Sequence, residues 1–271
     1  MFIRSFSNEQ IERMQSGERG ELFALLKEDV LKGTVFPAIR KGELHFYYRG
    51  GCLYKFSGGS FKRDKNFAKY CDGSDGLSTY ERAKRENEIR YKNSSGGSGE
   101  RQLLDGLYGY TFTPQKRSDV VVLDIEVNLG GQAVRKCDLV LLNTKTDEIA
   151  FVEAKVFTDK RVKVALSYIP EVIGQVKSYT SAFLSQTQNI LEQYSRHIRV
   201  LNGLFGTEYL PPRKVVQPAK LIVFETPEGL NLNGAHSVDI INEQLGAGNV
   251  LWVKSGENPS LDSIWHSLVH D

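Results

Sequence analysis

Three charged residues stand inside two consecutive apolar runs of this chain, and their types and spacing could do chemistry. Asp138 opens the run Leu139–Leu142, and after fourteen intervening residues Glu153 and Lys155 follow in a second apolar run. Two carboxylates can bind a divalent cation such as Mg²⁺, which prefers hard oxygen ligands and keeps several of its waters. Such a cation acidifies its water and neutralises charge that develops on a phosphate. The three side chains are therefore suited to phosphodiester hydrolysis.

Two β-strands joined by a short turn would bring these residues together. Side chains alternate across a strand, so Glu153 and Lys155 would share one face, and the turn would place Asp138 beside Glu153. Their neighbours are apolar, which predicts strands buried on both faces, where charged groups need a specific reason to be present. The alternative is a solvated strand face on which the same residues only form cross-strand ion pairs.

A further motif lies in the helix that the sequence predicts from Pro170 onward. Gln175 and Tyr179 are one helical turn apart and would share a face of that helix. The order of a strand with aspartate, a strand with Glu-x-Lys and a helix with Gln-x-x-x-Tyr resembles the PD-(D/E)XK nuclease superfamily, and within it the RecB-like branch. The resemblance covers residues 97–225 and departs from the motif at Cys137, which stands where the family name has proline.

The resemblance implies a role for each of these residues. Asp138, Glu153 and the backbone carbonyl of Ala154 would bind Mg²⁺ or Mn²⁺. Lys155 would orient the water or stabilise the attacked phosphate, because an ammonium beside two carboxylates stays protonated and is a poor general base. The glutamine and tyrosine of the following helix would lie beside the metal and position the site.

Two more acidic residues are candidates for an additional carboxylate. Glu126 lies in an apolar run that predicts the strand before Asp138, with Asp124 on the same face by alternation. The resemblance also implies an acid on the helix before the first strand, where Glu100 is the candidate. For each of them, surface ion pairing is the alternative.

Basic residues follow the second apolar run and could contact a nucleic-acid backbone. They are Lys160, Arg161 and Lys163, joined by Lys177 on the predicted helix; a solvated basic turn is an equally good account of the first three. Residues 1–98 carry 18 Lys and Arg against 13 Asp and Glu, whereas the remainder carries 17 against 20. A basic surface and a separate acidic site would suit an enzyme that acts on a polyanion, and random variation of surface charge is an equally good alternative.

The N-terminal part of the sequence predicts a separate module without a recognisable family. Residues 8–32 have the apolar spacing of one amphipathic helix, and four short runs separated by glycine-containing turns predict an antiparallel meander. The aromatic residues of the meander suit core packing, with base stacking beside the neighbouring cations as the alternative. The strands of the meander are predicted at 34–39, 44–48, 52–56 and 60–63.

The whole pattern predicts an α/β protein: a restriction-endonuclease-like core, in which helices flank a mixed sheet, preceded by a small α+β module with an antiparallel meander. The predicted division is a module over 1–75, a helical and Gly/Ser-rich linker over 76–99 and a nuclease-like domain over 100–271. In that domain, strands are predicted at 120–129, 137–142, 149–157, 221–224 and 250–253, and helices at 100–108, 170–185, 189–205, 238–245 and 261–269.

Composition excludes several other classes of protein. No apolar run approaches the roughly 18 residues of a membrane helix, no phosphate-binding loop of nucleotide hydrolases occurs, and the histidines show no metal-ligand spacing. Cys52, Cys71 and Cys137 are odd in number and scattered, which predicts neither disulfides nor a zinc site. They also fall short of the four ligands of an iron–sulfur cluster. The expected location is the cytoplasm, without a membrane partner.

These observations predict a nuclease that depends on Mg²⁺ or Mn²⁺ and acts on nucleic acid, with DNA favoured over RNA. The alternative is a non-catalytic module on the same fold that binds nucleic acid or another protein. The sequence leaves a homodimer or a partner protein open.

Overall fold

The chain forms an α/β structure with an antiparallel four-stranded sheet and a mixed six-stranded sheet flanked by helices. The computed structural model describes residues 2–63, 79–93, 100–108, 111–113, 118–129, 136–163, 169–225 and 232–269. Its helices are α1 (Asn8–Met14), α2 (Gly17–Leu31), α3 (Thr79–Asn93), α4 (Glu100–Tyr108), α5 (Glu171–Leu184), α6 (Thr187–Phe205), α7 (Leu232–Leu245) and α8 (Leu261–Leu268). Its strands are β1 (Phe36–Arg40), β2 (Glu43–Tyr48), β3 (Gly51–Ser57), β4 (Ser60–Lys62), β5 (Val120–Val127), β6 (Cys137–Asn143), β7 (Glu148–Val156), β8 (Lys214–Val215), β9 (Lys220–Phe224) and β10 (Val250–Val253).

The chain divides into two compact units, and the division differs from the predicted boundary at 76–99. The N-terminal unit comprises residues 3–117 and 193–209, and the mixed-sheet unit comprises residues 1–2, 118–192 and 210–271. Helix α4 therefore belongs to the N-terminal unit, as does the last part of α6. The predicted boundary came from a change in amino-acid composition, which indicates where few apolar residues are buried. A compact unit depends instead on apolar packing between distant residues, such as Phe112 and Phe205, whose ring centres are 5.3 Å apart. The Gly/Ser-rich residues 94–99 lie outside the described residues.

In the N-terminal unit, β1 to β4 form the predicted meander in chain order. Leu44, Phe46 and Phe56 are fully buried, and the rings of Phe56 and Phe61 meet edge to face with their centres 5.1 Å apart. Core packing, the favoured interpretation of these aromatic residues, is therefore confirmed for this set.

The helix predicted over 8–32 is two helices. Helix α1 begins with a capping box, in which Ser7 accepts from the backbone of Gln10 and Gln10 accepts from the backbone of Ser7. It ends at Met14, and α2 starts at Gly17, whose φ of +56° lies in the left-handed region that favours glycine. A residue in that conformation cannot continue a right-handed helix, so the helix is interrupted there although the apolar periodicity continues.

The mixed sheet has the order β10-β9-β7-β6-β5, with the two-residue β8 also paired to β7. Strand β6 pairs antiparallel with both β5 and β7, whereas β9 pairs parallel with both β7 and β10. Strand β7 is central, and every residue from Ile149 to Lys155 is buried. The expected burial on both faces is thus confirmed. The short β8 has no counterpart among the predicted strands, because two residues give no periodicity.

Helix α5 packs on the face of β7 that carries Phe151. It begins at Glu171 with Pro170 as the N-cap residue, and the ring of Phe183 stacks on Phe151 at a centre-to-centre distance of 5.2 Å. Because side chains alternate, Glu153 and Lys155 lie on the same face as Phe151. Helix α7 begins earlier than predicted, at Leu232. Among the described residues, no helix combines the length and apolarity that crossing a membrane requires.

Candidate active site

The hairpin of β6 and β7 sets the position of the candidate site. Its register pairs Leu139 with Val152 and Val140 with Phe151, which places Asp138 opposite Glu153 at the open end. At this point the hydrogen-bond acceptor is a side chain and not the backbone of the neighbouring strand: the N–H of Ala154 donates to Oδ2 of Asp138 at 2.9 Å. The expectation that a hairpin brings Asp138 beside Glu153 is confirmed.

Three oxygen atoms converge on the ammonium group of Lys155. Its Nζ lies 2.6 Å from Oε1 of Glu153, 3.3 Å from Oδ2 of Asp138 and 2.5 Å from the carbonyl oxygen of Ala154. The side chains of Glu153 and Lys155 are each 1% exposed, and that of Asp138 is 19% exposed. The ammonium thus contacts the three protein atoms that the sequence assigned to a metal ion.

This oxygen set fits a small divalent cation. Carboxylate and carbonyl oxygens are the ligands that Mg²⁺ takes, and Mg²⁺ keeps several waters when a protein offers it only one or two carboxylates. In the described part of the chain, no group of three or more His, Cys, Asp and Glu side chains is arranged to hold a metal. A metal at this hairpin would therefore rely on two carboxylates, the carbonyl of Ala154 and solvent.

Gln175 and Tyr179 lie on one face of α5, as predicted, and are linked to each other. Nε2 of Gln175 donates to the hydroxyl of Tyr179 at 2.9 Å, and that hydroxyl donates to the carbonyl of Lys136 at 2.9 Å. Burial, followed by the negative charge of Glu153, raises the pKa of Tyr179, so the hydroxyl keeps its proton. Oε1 of Gln175 is buried and accepts no hydrogen bond from the described residues.

Cys137 precedes Asp138 and is not a nucleophile in this arrangement. Its thiol is buried, and Sγ lies 3.3 Å from the carbonyl oxygen of Val152. Burial raises the pKa of Cys137 well above its usual range, and the charges of Glu153 and Asp138 raise it further. The thiol therefore stays protonated in the folded chain.

The additional acidic candidates are not part of the three-oxygen cluster. Glu126 has a positive φ of 47°, and its Oε2 lies 3.3 Å from Nζ of Lys136, which is the surface ion pair that the sequence left as the alternative. Asp124 is fully buried and accepts a hydrogen bond from its neighbour Ile125 at 2.8 Å. Glu100 begins α4 in the N-terminal unit. Catalytic roles for Glu126 and Glu100 stay predictions.

The basic residues after β7 differ in whether their charge is paired within the protein or exposed to solvent. The guanidinium of Arg161 is paired with Asp159; burial alone would raise the pKa of Asp159, but the hydrogen bonds and charge of Arg161 outweigh it and lower that pKa. Lys160 and Lys163 are exposed. Lys177 is exposed on α5 and hydrogen-bonds a glutamine of α7 at 3.1 Å. Three of the four predicted nucleic-acid contacts thus present their charge to solvent.

Sequence reasoning missed the backbone groups that hold the site. The carbonyl of Lys136 accepts from Tyr179, and the N–H of Ala154 donates to Asp138. Every residue except proline carries these groups, so no residue type signals them. The only available signal was the position of Lys136 directly before the strand with Asp138.

No protein-family model matches this chain, and searches among curated proteins and among solved structures give no match. The resemblance to the PD-(D/E)XK superfamily therefore rests on the sequence motif, and the geometry of the hairpin and α5 is an independent observation beside it.

Proposed function

We propose that this protein is a metal-dependent nuclease that hydrolyses phosphodiester bonds of nucleic acid, with DNA favoured over RNA. The convergence of Asp138, Glu153 and the carbonyl of Ala154 on one buried cationic group carries this proposal. Charged groups are costly to bury unless they are paired or bind a ligand. An open hairpin end with two carboxylates and an ammonium offers both a cation site and a positive group for a phosphate.

The residues would divide the work as follows. Bound Mg²⁺ or Mn²⁺ would supply an acidified water and would neutralise charge on the phosphate. Asp138 and Glu153 would hold the cation, with the orientation of Asp138 fixed by the N–H of Ala154. Lys155 would stay protonated and stabilise the negative charge of the attacked phosphate. The linked side chains of Gln175 and Tyr179 would keep α5 in place beside β6.

The fold supports this proposal at the level of topology. The antiparallel strands β5, β6 and β7, the helix α5 and the parallel strand β9 follow one another in the order expected for a restriction-endonuclease-like core. We therefore propose that the mixed-sheet unit is such a core, of the RecB-like kind. Lys160, Lys163 and Lys177 are its proposed contacts to the nucleic-acid backbone, and the odd, scattered cysteines support a reducing, cytoplasmic location.

A second candidate function is favoured by the same ammonium group. Lys155 already pairs with both carboxylates, and an ion cluster of this kind can be purely structural. The protein would then be a non-catalytic module that binds nucleic acid or another protein. Binding of Mn²⁺ separates the two functions, because a ligand that binds the folded state raises the melting temperature by mass action.

A cleavage assay tests the proposal. The purified protein is incubated with linear, circular and single-stranded DNA and with RNA, in Mg²⁺, in Mn²⁺ and in EDTA. We expect metal-dependent cleavage that falls by at least about 100-fold in Glu153→Gln and Lys155→Met, the scale seen when one transition-state contact is removed.

The matched control is Glu148→Gln, because Glu148 lies at the far end of the same strand and pairs with Lys214 at 2.7 Å. Its cleavage rate should equal that of the unaltered protein. Equal rates in all three variants would contradict the nuclease assignment. Nucleic-acid binding without cleavage, in a folded protein that Mn²⁺ does not stabilise, would support the non-catalytic module.

A further inference from the structure

The N-terminal unit contains a cavity of about 380 Å³ that the proposed chemistry does not use. It is bordered by the end of α2, by β1 and β2, and by residues of α3 and α4. A volume of this size lies in the range of small-molecule sites. The cavity is therefore large enough for a ligand with a ring system and a short charged substituent.

Aromatic residues form much of its border. Tyr47 and Tyr48 come from β2, Tyr91 from α3 and Tyr108 from α4, and Phe36 of β1 packs against Tyr108 with ring centres 5.4 Å apart. Phe36 is 2% exposed and Tyr48 is 8% exposed, so both rings are fixed by the core. Flat aromatic walls favour a planar ring, and stacking of a nucleobase on an aromatic side chain contributes about 1–3 kcal/mol per base.

A guanidinium group is held against two of these rings. The guanidinium carbon Cζ of Arg49 lies 5.7 Å from the ring centre of Tyr48 and 5.5 Å from that of Tyr91. Its backbone has a positive φ of 51°, which is uncommon for a residue with a long side chain. Nζ of Lys84 lies 5.2 Å from the ring centre of Tyr48.

The positive charge at the border of the cavity favours an anionic ligand over a cationic one. Cations already lie against Tyr48 and Tyr91, and Lys32, whose ammonium is paired with Glu28, also borders the cavity. An aromatic cage for a cationic ligand needs ring faces that are free of other cations. An anionic substituent such as a phosphate, in contrast, would gain from the same groups.

One carboxylate completes the cavity wall. Oδ2 of Asp105 lies 3.5 Å from Nη1 of Arg49, and the side chain of Asp105 is 17% exposed. Burial raises the pKa of Asp105, although Arg49 opposes that rise. A carboxylate beside aromatic walls can accept hydrogen bonds from the amino and imino groups at the edge of a base.

We propose that this cavity binds a nucleotide, with the base against its aromatic border and its N–H groups on Asp105, and with the phosphate on Arg49 and Lys32. The nucleotide is either a free monophosphate or one unit of a single strand, since both offer a base and a phosphate. The site lies within the N-terminal unit and does not rest on cleavage by the mixed-sheet unit.

Calorimetric titration of the full chain in EDTA tests this site without catalysis. The probes are GMP, AMP, CMP, ribose 5-phosphate and a six-nucleotide single-stranded DNA of mixed sequence. We expect at least one nucleotide to bind with a submillimolar dissociation constant, and ribose 5-phosphate to bind at least about tenfold more weakly because it cannot stack. Tighter binding of the DNA than of any monophosphate identifies a strand as the source, and equal or weaker binding identifies a free nucleotide.

Two variants and one control locate the binding. Arg49→Gly removes the guanidinium and suits the positive φ, so it should fold and weaken binding at least about tenfold. Tyr91→Leu removes a ring and should weaken binding similarly. The control, Arg13→Gln, removes a cation of the same unit that pairs with Glu9 and does not border the cavity. Absence of nucleotide binding, or binding that all three variants leave unchanged, would overturn the proposal.

Discussion

At the residue scale, the ammonium group of Lys155 allows the most direct test of the proposed metal site. Its ammonium lies on two carboxylates and a carbonyl while it is 1% exposed. A buried cluster of this kind is balanced only while each charge keeps its partner. The ammonium would also compete with any metal ion for these oxygens. Replacing Lys155 should therefore change both the stability of the fold and its response to a metal ion.

Lys155→Met tests both readouts. Without a metal, we expect the free energy of unfolding to fall by about 3–5 kcal/mol, because the buried carboxylate of Glu153 and the partly buried one of Asp138 lose their cation. We expect Mn²⁺ to raise the melting temperature more in this variant than in the unaltered protein, because the ammonium no longer competes for the oxygens. Thermal and urea unfolding, each with and without Mn²⁺, measure the two effects.

Lys214→Met is the matched control. Lys214 pairs with Glu148, which lies on the same strand as Lys155, but the side chain of Lys214 is 69% exposed. Exposed pairs contribute little, so its stability should change by less than about 1 kcal/mol. A Lys155→Met protein that is destabilised but gains nothing from Mn²⁺ would indicate a structural ion cluster without metal affinity.

At the scale of elements, the open end of the β6–β7 hairpin depends on a side chain. The backbone ladder reaches Leu139 and Val152, and Asp138 then binds the N–H of Ala154 directly. The strands can therefore separate at the site without leaving that donor unsatisfied, which would otherwise carry a free-energy cost. Asp138 thus has a local structural role in addition to its proposed role as a metal ligand.

Two substitutions of Asp138 separate these roles. In Asp138→Asn the side-chain oxygen still accepts from Ala154, so we expect the amide of Ala154 to stay protected from hydrogen exchange. In Asp138→Ala the acceptor is lost, and we expect that amide to exchange faster. Cleavage should be lost in both variants, because both lack the charge.

Amides in the middle of the ladder, where Leu141 pairs with Ala150, are the internal reference and should keep their protection in both variants. Equal protection of Ala154 in Asp138→Ala and in the unaltered protein would show that the amide does not depend on the carboxylate.

At the scale of the whole molecule, both units bury acids whose pKa values are raised. Burial raises the pKa of Cys137 in the mixed-sheet unit. In the N-terminal unit, burial and the hydrogen bond to Glu88 raise the pKa of Tyr48 to about 12, and burial and Asp29 raise that of Tyr80. Each group keeps its proton in the folded chain at a pH where the unfolded chain releases it.

The sign of the pH dependence follows from these shifts. A raised folded pKa contributes stability that is fully present below the unfolded pKa and is lost as pH rises above it. We therefore expect the free energy of unfolding to fall with pH, first above the ordinary cysteine value of 9.0 and then more steeply above the tyrosine value of 10.0. Urea unfolding at closely spaced pH values between neutral and strongly alkaline measures this loss.

Cys137→Ala assigns the first part of the loss. This variant should lack the fall that begins near pH 9.0, a slope of up to about 1.4 kcal/mol per pH unit for one group. Tyr48→Phe should reduce only the fall above pH 10.0. An alkaline profile identical in all three proteins would show that neither group controls stability in this range.

The sequence by itself determined the elements and the residues of the hairpin site. Apolar runs and turn residues predicted β5, β6, β7 and α5, and alternation placed Glu153 and Lys155 on one face, because these features depend on neighbours in the chain. The first long helix was predicted as one piece because periodicity does not show the left-handed backbone of Gly17. Short-range patterns thus predict local structure, except where one backbone angle interrupts them.

Only the tertiary structure decided how the units divide and which groups meet. It placed α4 with the N-terminal unit, put the ammonium of Lys155 on the carbonyl of Ala154, and joined Tyr179 to the carbonyl of Lys136. It also assembled the tyrosine-lined cavity from two helices and a sheet. Each of these contacts uses either a backbone group, which every residue carries, or residues far apart in the chain, and neither leaves a local pattern in the sequence.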